Sequence, residues 1–352
     1  MAIDVYSQCP GATGKKIKFC CSDFISELEK IDRMIEGEQF AACLQHIDRL
    51  REQPENHDRQ CLLAYQAMLL RATGQVQAAQ THAAYFLEKY PTNQLALAEA
   101  AMLAAGRDDA AAMNFLQRSF AQAKGSWSWR TYQAAEILTE VYLHQGRWLP
   151  ARSLLQFLLL VDKKNENVLQ MLTELFRSPE IPLLLKEDPR FPSPPKNAAW
   201  KDRYAKALES TTYGDWLGTE QNLTALASEA PDSPAIWRSL ATLRGWLADA
   251  SGCIAALRKY AALDIPLEDA VEAEATAMLL TKNHLGDAVA ILNVTWTVKD
   301  ADRVQESLLS DERIKPIAFD PVELASEDSP PPKAAFILFD RAVVESLEGL
   351  TA

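Results

Sequence analysis

Three cysteines and three lysines fall within thirteen residues near the start of the chain, Cys9 to Cys21, CPGATGKKIKFCC. Thiolates are preferred ligands of structural zinc, and such sites close a tetrahedron of four donors. Cys9, Cys20 and Cys21 supply three. A water, a remote side chain or another chain would have to supply the fourth. Lys15, Lys16 and Lys18 form a basic patch in the same stretch, either a solvated turn or a contact for an acidic partner. The run GATGKK imitates part of a phosphate-binding loop, which needs Gly-x4-Gly-Lys-Ser/Thr. Here Cys9 stands five residues before Gly14 and Lys16 follows Lys15, so no nucleotide site is read.

Other chemistry is hard to find. The histidines, at 46, 57, 82, 144 and 284, are scattered. There is no His-Glu-x-x-His helix, no Gly-x-Ser-x-Gly elbow and no dinucleotide fingerprint. The expectation is a protein that is not an enzyme, with no catalytic residues, no small-molecule substrate and no cofactor beyond one Zn2+. Cys43, Cys61 and Cys253 stand alone within helical patterns and read as buried reduced thiols, which suits a reducing cytoplasm. The formal net charge of −12 over 352 residues disfavours a nucleic-acid partner. No apolar run approaches the roughly 18 residues of a membrane span, and no apolar leader follows Met1.

The elements that must position these residues read as helices. Gly is scarce at 13 and hydrophobic residues reach 48%. One segment runs Gly74, Val76, Ala79, Phe86, Pro91, a second Gly146, Trp148, Ala151, Leu155, Leu158, and a third Gly214, Trp216, Leu223, Leu226, Pro231. Trp237, Leu240 and Ala241, then Cys253, Leu257 and Tyr260, continue the series. Each unit places a turn residue between two apolar-periodic helices. Weaker copies lie at Glu38 to Pro54 and around Gly106. This phased pattern resembles the tetratricopeptide repeat, Trp-x2-Leu-Gly-x2-Tyr, Ala-x3-Phe, Pro. Trp237, Leu240, Ala241 and Tyr142 match its first helix, and Ala79 and Ala151 its small second-helix position. No unit carries the whole signature. The resemblance implies an all-α fold, a right-handed superhelical solenoid of divergent helix pairs, each burying a face only against its neighbours.

It also implies a groove lined by first helices that takes a protein partner. Aligned to the repeats, the groove would present Glu136, Glu140 and His144, then Lys201 and Tyr204, then Arg238, Thr242 and Trp246. The basic carboxylate clamp of some members is not visible, since the aligned positions are Cys61, Ala64, Met68 and Arg71. Trp127 and Trp129 are expected to pack into the core, with an exposed aromatic patch as the alternative.

The N-terminal stretch resembles the SEC-C motif of bacterial proteins, a small zinc-binding module reading approximately Cys-Pro-Cys-Gly-Ser-Gly-Lys-Lys-x-Lys-x-Cys-His/Cys. Cys9, Pro10, Thr13, Gly14, Lys15, Lys16, Lys18, Cys20 and Cys21 fall in register. Gly11 occupies the second ligand position and Ala12 the next glycine. The resemblance implies either a residual zinc site on Cys9, Cys20 and Cys21 or a degenerate module that has lost its metal. A zinc-supported knob of this kind would dock on an anionic partner such as a ribosome or chaperone surface.

The chain therefore divides into a Cys module (1–23), a first repeat block (24–177), a linker with six prolines (178–197), a second block (198–300) and a tail (301–352). Leu183–Leu185 suggests that part of the linker packs. The tail reads as one helix and two short strands, Ile314–Phe319 and Lys333–Asp340, separated by SEDSPPP. Two strands are marginal alone, so either they lie against the last helices or a further strand is missing, supplied by a longer chain or another protein. With no capping helix ending the solenoid, residue 352 need not be the end of the structural unit.

Overall fold

The computed structural model describes residues 3–123, 127–178, 181, 183–186 and 191–285. Among them every regular element is helical, and the one β-type feature is an isolated antiparallel bridge between Gln8 and Lys16. The expected tail strands lie outside the described residues. The helices are α1 (Ile17–Cys20), α2 (Ile25–Glu36), α3 (Phe40–Arg51), α4 (Gln60–Ala72), α5 (Val76–Lys89), α6 (Gln94–Ala104), α7 (Asp109–Ala123), α8 (Trp129–His144) and α9 (Trp148–Val161). They continue as α10 (Glu166–Arg177), α11 (Leu183–Lys186), α12 (Lys201–Glu209), α13 (Trp216–Glu229), α14 (Pro234–Trp246), α15 (Ala250–Ala261) and α16 (Leu267–Leu285). Among the described residues, no helix is long and apolar enough to cross a membrane.

Neighbouring helices pack in pairs, as the sequence pattern requires of an all-α solenoid. One residue in left-handed conformation reverses the chain between partners. It is a glycine at Gly74 (φ 70°), Gly106, Gly146 and Gly214. Glu38 and Ala248 take the same conformation in the α2–α3 and α14–α15 turns, at φ 55° and 62°. There the packed helices hold a side chain where its Cβ costs about 1–2 kcal/mol. The unit that ends at Pro91 feeds the next helix through a cap. After Pro91, the Asn93 side chain accepts from the backbone N–H of Leu95 and Ala96 at 2.9 and 3.1 Å.

The chain forms two compact units, residues 1–141 with 209–217 and residues 142–208 with 218–352. In the first, α2 to α7 stack in sequence around a core that includes Leu28, Ile31, Ile47, Leu62, Phe86 and Leu97, all buried. Residues 209–217 belong to it because the buried Gln117 caps the start of α13. Its side-chain oxygen accepts from the backbone N–H of Trp216 and Leu217 at 2.9 and 3.2 Å.

In the second unit α9 packs on α14, where Gly245 lets Leu149 approach closely. A Cβ there would lie 3.1 Å from the Leu149 Cδ1. The described residues of the proline-rich segment belong to this unit. Ile181 and Leu185 are buried, Arg152 donates to the Leu185 carbonyl at 2.8 Å, and Phe191 meets Trp246 edge-on at 5.3 Å. Proline removes donors, but its neighbours' carbonyls still accept, so buried donors on α9 and α12 hold the segment down.

Candidate metal centre

The N-terminal residues build a compact loop before any helix forms. The Cys9 N–H donates to the Lys15 carbonyl and the Ala12 N–H to the Cys9 carbonyl, each at 2.9 Å. The Gly11 N–H points at the Cys9 sulfur, 3.4 Å away. Gly14, at φ 72°, turns the chain back, and the single turn of α1 follows. The Cys21 N–H bonds the Ile17 carbonyl at 2.8 Å, which sets Cys20 and Cys21 opposite Cys9.

The three cysteine sulfurs lie within 4.8 Å of one another. Cys20 and Cys21 are 3.2 Å apart, Cys9 and Cys21 3.6 Å. Thiolates about 2.3 Å from a tetrahedral zinc are separated by about 3.8 Å, so three sulfurs at these distances fit a thiophilic ion. An amide aimed at a sulfur further suits a thiolate, because it supplies the donor that the charge needs. Cys9 and Cys21 are buried and Cys20 half-buried. Contact with Cys21 and then burial raise the Cys9 thiol far above its ordinary pKa. Contact with Cys61 is the first cause of the same upward shift at Cys21, and burial raises Cys20. A cation is what would make this cluster ionise near neutrality.

Cys61 is the feature that linear spacing did not reveal. It reads as an isolated buried thiol, and it is buried, at 1% exposure. It is not isolated, since its sulfur lies 4.0 Å from that of Cys21. The first turn of α4 carries it there. Arg59, just before that turn, pairs with Asp23 through two bonds of 2.8 and 3.0 Å and lies over the Phe24 ring. The Asn93 amide donates to the Gly11 carbonyl at 2.7 Å. The module is thereby seated on the starts of α4 and α6. Cys43 and Cys253 are ordinary buried thiols, held by burial at about 11 and about 12.

Lys15, Lys16 and Lys18 are exposed on the opposite side of the loop. Lys16 and Lys18 sit 5.7 and 5.1 Å from the Tyr6 ring, and Lys18 also approaches Phe19. Both rings are largely exposed.

The expected groove residues divide in character. Glu136 is half-buried on α8, while Glu140 and His144 further along that helix are exposed. Lys201 is exposed at the start of α12. Tyr204, three residues on, is buried instead, its hydroxyl bonded to the Pro192 carbonyl and to Ser239 at 2.8 and 2.7 Å. It ties the proline segment to α14 and offers no surface, a correction to its expected place in a groove. Arg238 pairs with Glu272 and lies over Tyr260, and its carbonyl accepts from Thr242. Trp246 is half-buried against Phe191. The expectation that Trp129 enters the core fails, because it is 60% exposed beneath the Arg130 guanidinium.

A second polar feature lies along the first helices of the first unit. Buried Glu99 on α6 meets Arg71 of α4 at 2.7 Å and Arg130 of α8 at 3.7 Å. Arg130 also donates to the Ala64 carbonyl, and burial pushes its pKa down. The sequence signal was a lone acidic residue in QLALAEAAMLA, a helix with no apolar face to spare.

Comparison of the chain with family models, with curated proteins and with solved structures finds no match to any of them.

Proposed function

We propose that this chain is a non-enzymatic interaction scaffold of the reducing cytoplasm. Tetratricopeptide-like helix pairs offer a groove to a protein partner, and a SEC-C-like module holding one zinc ion caps the first pairs. The observation that carries the reading is the repeated turn, one left-handed residue between paired helices at Glu38, Gly74, Gly106, Gly146, Gly214 and Ala248. That regularity belongs to stacked repeats, whose exposed first-helix faces are the usual place for an extended or helical peptide. Exposed His144 and Lys201, both in the second unit, are the positions to test. Affinity capture with the full chain should enrich one protein set, and His144→Glu with Lys201→Glu should remove most of that enrichment. Identical capture by wild type and the double variant would overturn the groove.

A second reading rests on the outer face of the module. Lysines stacked on exposed Tyr6 and Phe19 would suit an anionic partner such as a ribosome or acidic chaperone surface, with the repeats as support. Reversing Lys15, Lys16 and Lys18 to Glu should then abolish an association that weakens as salt rises. Association unchanged by the triple reversal would remove this reading and leave the groove.

A further inference from the structure

We propose that Cys61 is the fourth protein ligand of the metal centre, so that one thiophilic divalent ion staples the N-terminal module to the first turn of α4. The proposal rests on the reading of Cys9, Cys20 and Cys21 as metal ligands and adds what completes their shell and what the ion holds together.

The Cys21 sulfur is the hub. The other three sulfurs lie 3.2, 3.6 and 4.0 Å from it, for Cys20, Cys9 and Cys61. Those three edges bracket the value of about 3.8 Å in a tetrahedron of thiolates around zinc, while the Cys61 sulfur stands outside the group of three that lie within 4.8 Å of one another. The ion draws the Cys61 thiol in toward a cluster that the other three already form. Four thiolates and no open position describe a structural site.

Gly11 gives an independent argument. The SEC-C resemblance implies a cysteine at this position, which here cannot carry any side chain. A Cβ there would lie 2.5 Å from the Cys61 nitrogen and 2.6 Å from the Gln60 carbonyl carbon. These are backbone atoms of α4, which do not move aside. A ligand at residue 11 and the close approach of α4 therefore exclude each other. The approach that forbids the local ligand is the one that delivers Cys61 to the cluster. The Asn93 amide on the Gly11 carbonyl fixes that contact from the side of α6.

The consequence is a change in what the metal does. With a ligand at position 11 the module would be a self-contained knob. With Cys61 it is also joined through the ion to α4, and removing the metal loosens residues 3–24, which then rest on the Asp23–Arg59 and Gly11–Asn93 contacts.

The test uses the untagged full chain, loaded with zinc or with cobalt as a spectroscopic probe. Wild type and Cys43→Ser should bind one ion per chain. Cys61→Ser should lose roughly a quarter of the thiolate-to-cobalt charge-transfer intensity, one ligand in four. It should also release zinc to a chelator at least about tenfold more readily, the loss that even groups orienting a ligand produce. Alkylation of the zinc-loaded wild-type chain, before and after chelation, provides a reading that needs no variant. Cys61 should become reactive together with Cys9, Cys20 and Cys21, while Cys43 stays protected. A Cys61→Ser spectrum and zinc retention equal to wild type, or a Cys61 that stays protected with Cys43 after chelation, would overturn the proposal and leave a three-thiolate centre. A wild-type chain that binds neither ion would overturn the metal reading itself.

Discussion

Gly11 lies against the backbone of Cys61 so closely that the two residues share a contact surface with no room for a side chain between them. A loop from the module and the first turn of a repeat helix are thereby packed as one piece. Placing at residue 11 the cysteine that the SEC-C resemblance implies would work against this packing. Gly11→Cys is expected to lower stability by about 1–3 kcal/mol, the usual cost of overpacking a dense site. It should not raise zinc content. Thermal unfolding and metal analysis of the same preparation check both parts. A variant with higher melting temperature and tighter zinc would show that α4 yields.

Asn93 serves two segments at once. Its oxygen caps α6 and its amide nitrogen holds the Gly11 carbonyl. Asn93→Asp keeps the acceptor and removes the donor, whereas Asn93→Ala removes both. The cap is worth about 1 kcal/mol, and a buried carbonyl left without its donor costs about 1–3 kcal/mol. Asp should therefore lose the second contribution together with the repulsion between its buried carboxylate and the Gly11 carbonyl, and Ala the sum of cap and donor. Hydrogen exchange in residues 9–14 should quicken in both variants, while the start of α6 should loosen only in Ala.

His82 couples stability to pH. It is buried on α5 with Nε2 on the Leu63 carbonyl at 2.8 Å, which requires the neutral ring protonated at that nitrogen. Burial lowers its pKa from the ordinary 6.5 to about 4. The unfolded chain takes up this proton near pH 6.5 and the folded chain only near 4. The stabilisation is complete above about pH 6.5 and is lost as the pH falls toward 4, at a cost of roughly 3 kcal/mol. Denaturant midpoints measured from pH 7.5 to 4 should fall, and His82→Gln should flatten the part of that fall above pH 4.

Glu99 stands between two guanidiniums in the interior of the first unit. Removing it leaves buried Arg130 without its carboxylate, and breaking such a pair costs about 3–5 kcal/mol. Glu99→Ala is expected to unfold well before Arg130→Met. A double variant, Glu99→Met with Arg130→Met, should recover part of the loss. Additive losses in that cycle would mean that the two groups act independently.

The sequence by itself determined the helical repeats. Periodic apolar faces and turn glycines act over a few residues, so Gly74, Gly146 and Gly214 could be marked as turns without coordinates. It determined the thiol cluster of Cys9, Cys20 and Cys21 for the same reason, since one short loop and one turn of helix bring them together. It also marked Leu183–Leu185 as a candidate to pack, and of these Leu185 is buried. Glu38 and Ala248 escaped notice because tertiary packing, not residue preference, imposes their left-handed turns. Tyr204 and Gln117 were illegible because a polar side chain on a helix looks the same whether it meets water or a partner 35 or 99 residues away. Only the tertiary structure decided that α4 would press on Gly11 and carry Cys61 to Cys21. That outcome depends on how three helices stack, and no local spacing encodes a distance between residues forty positions apart.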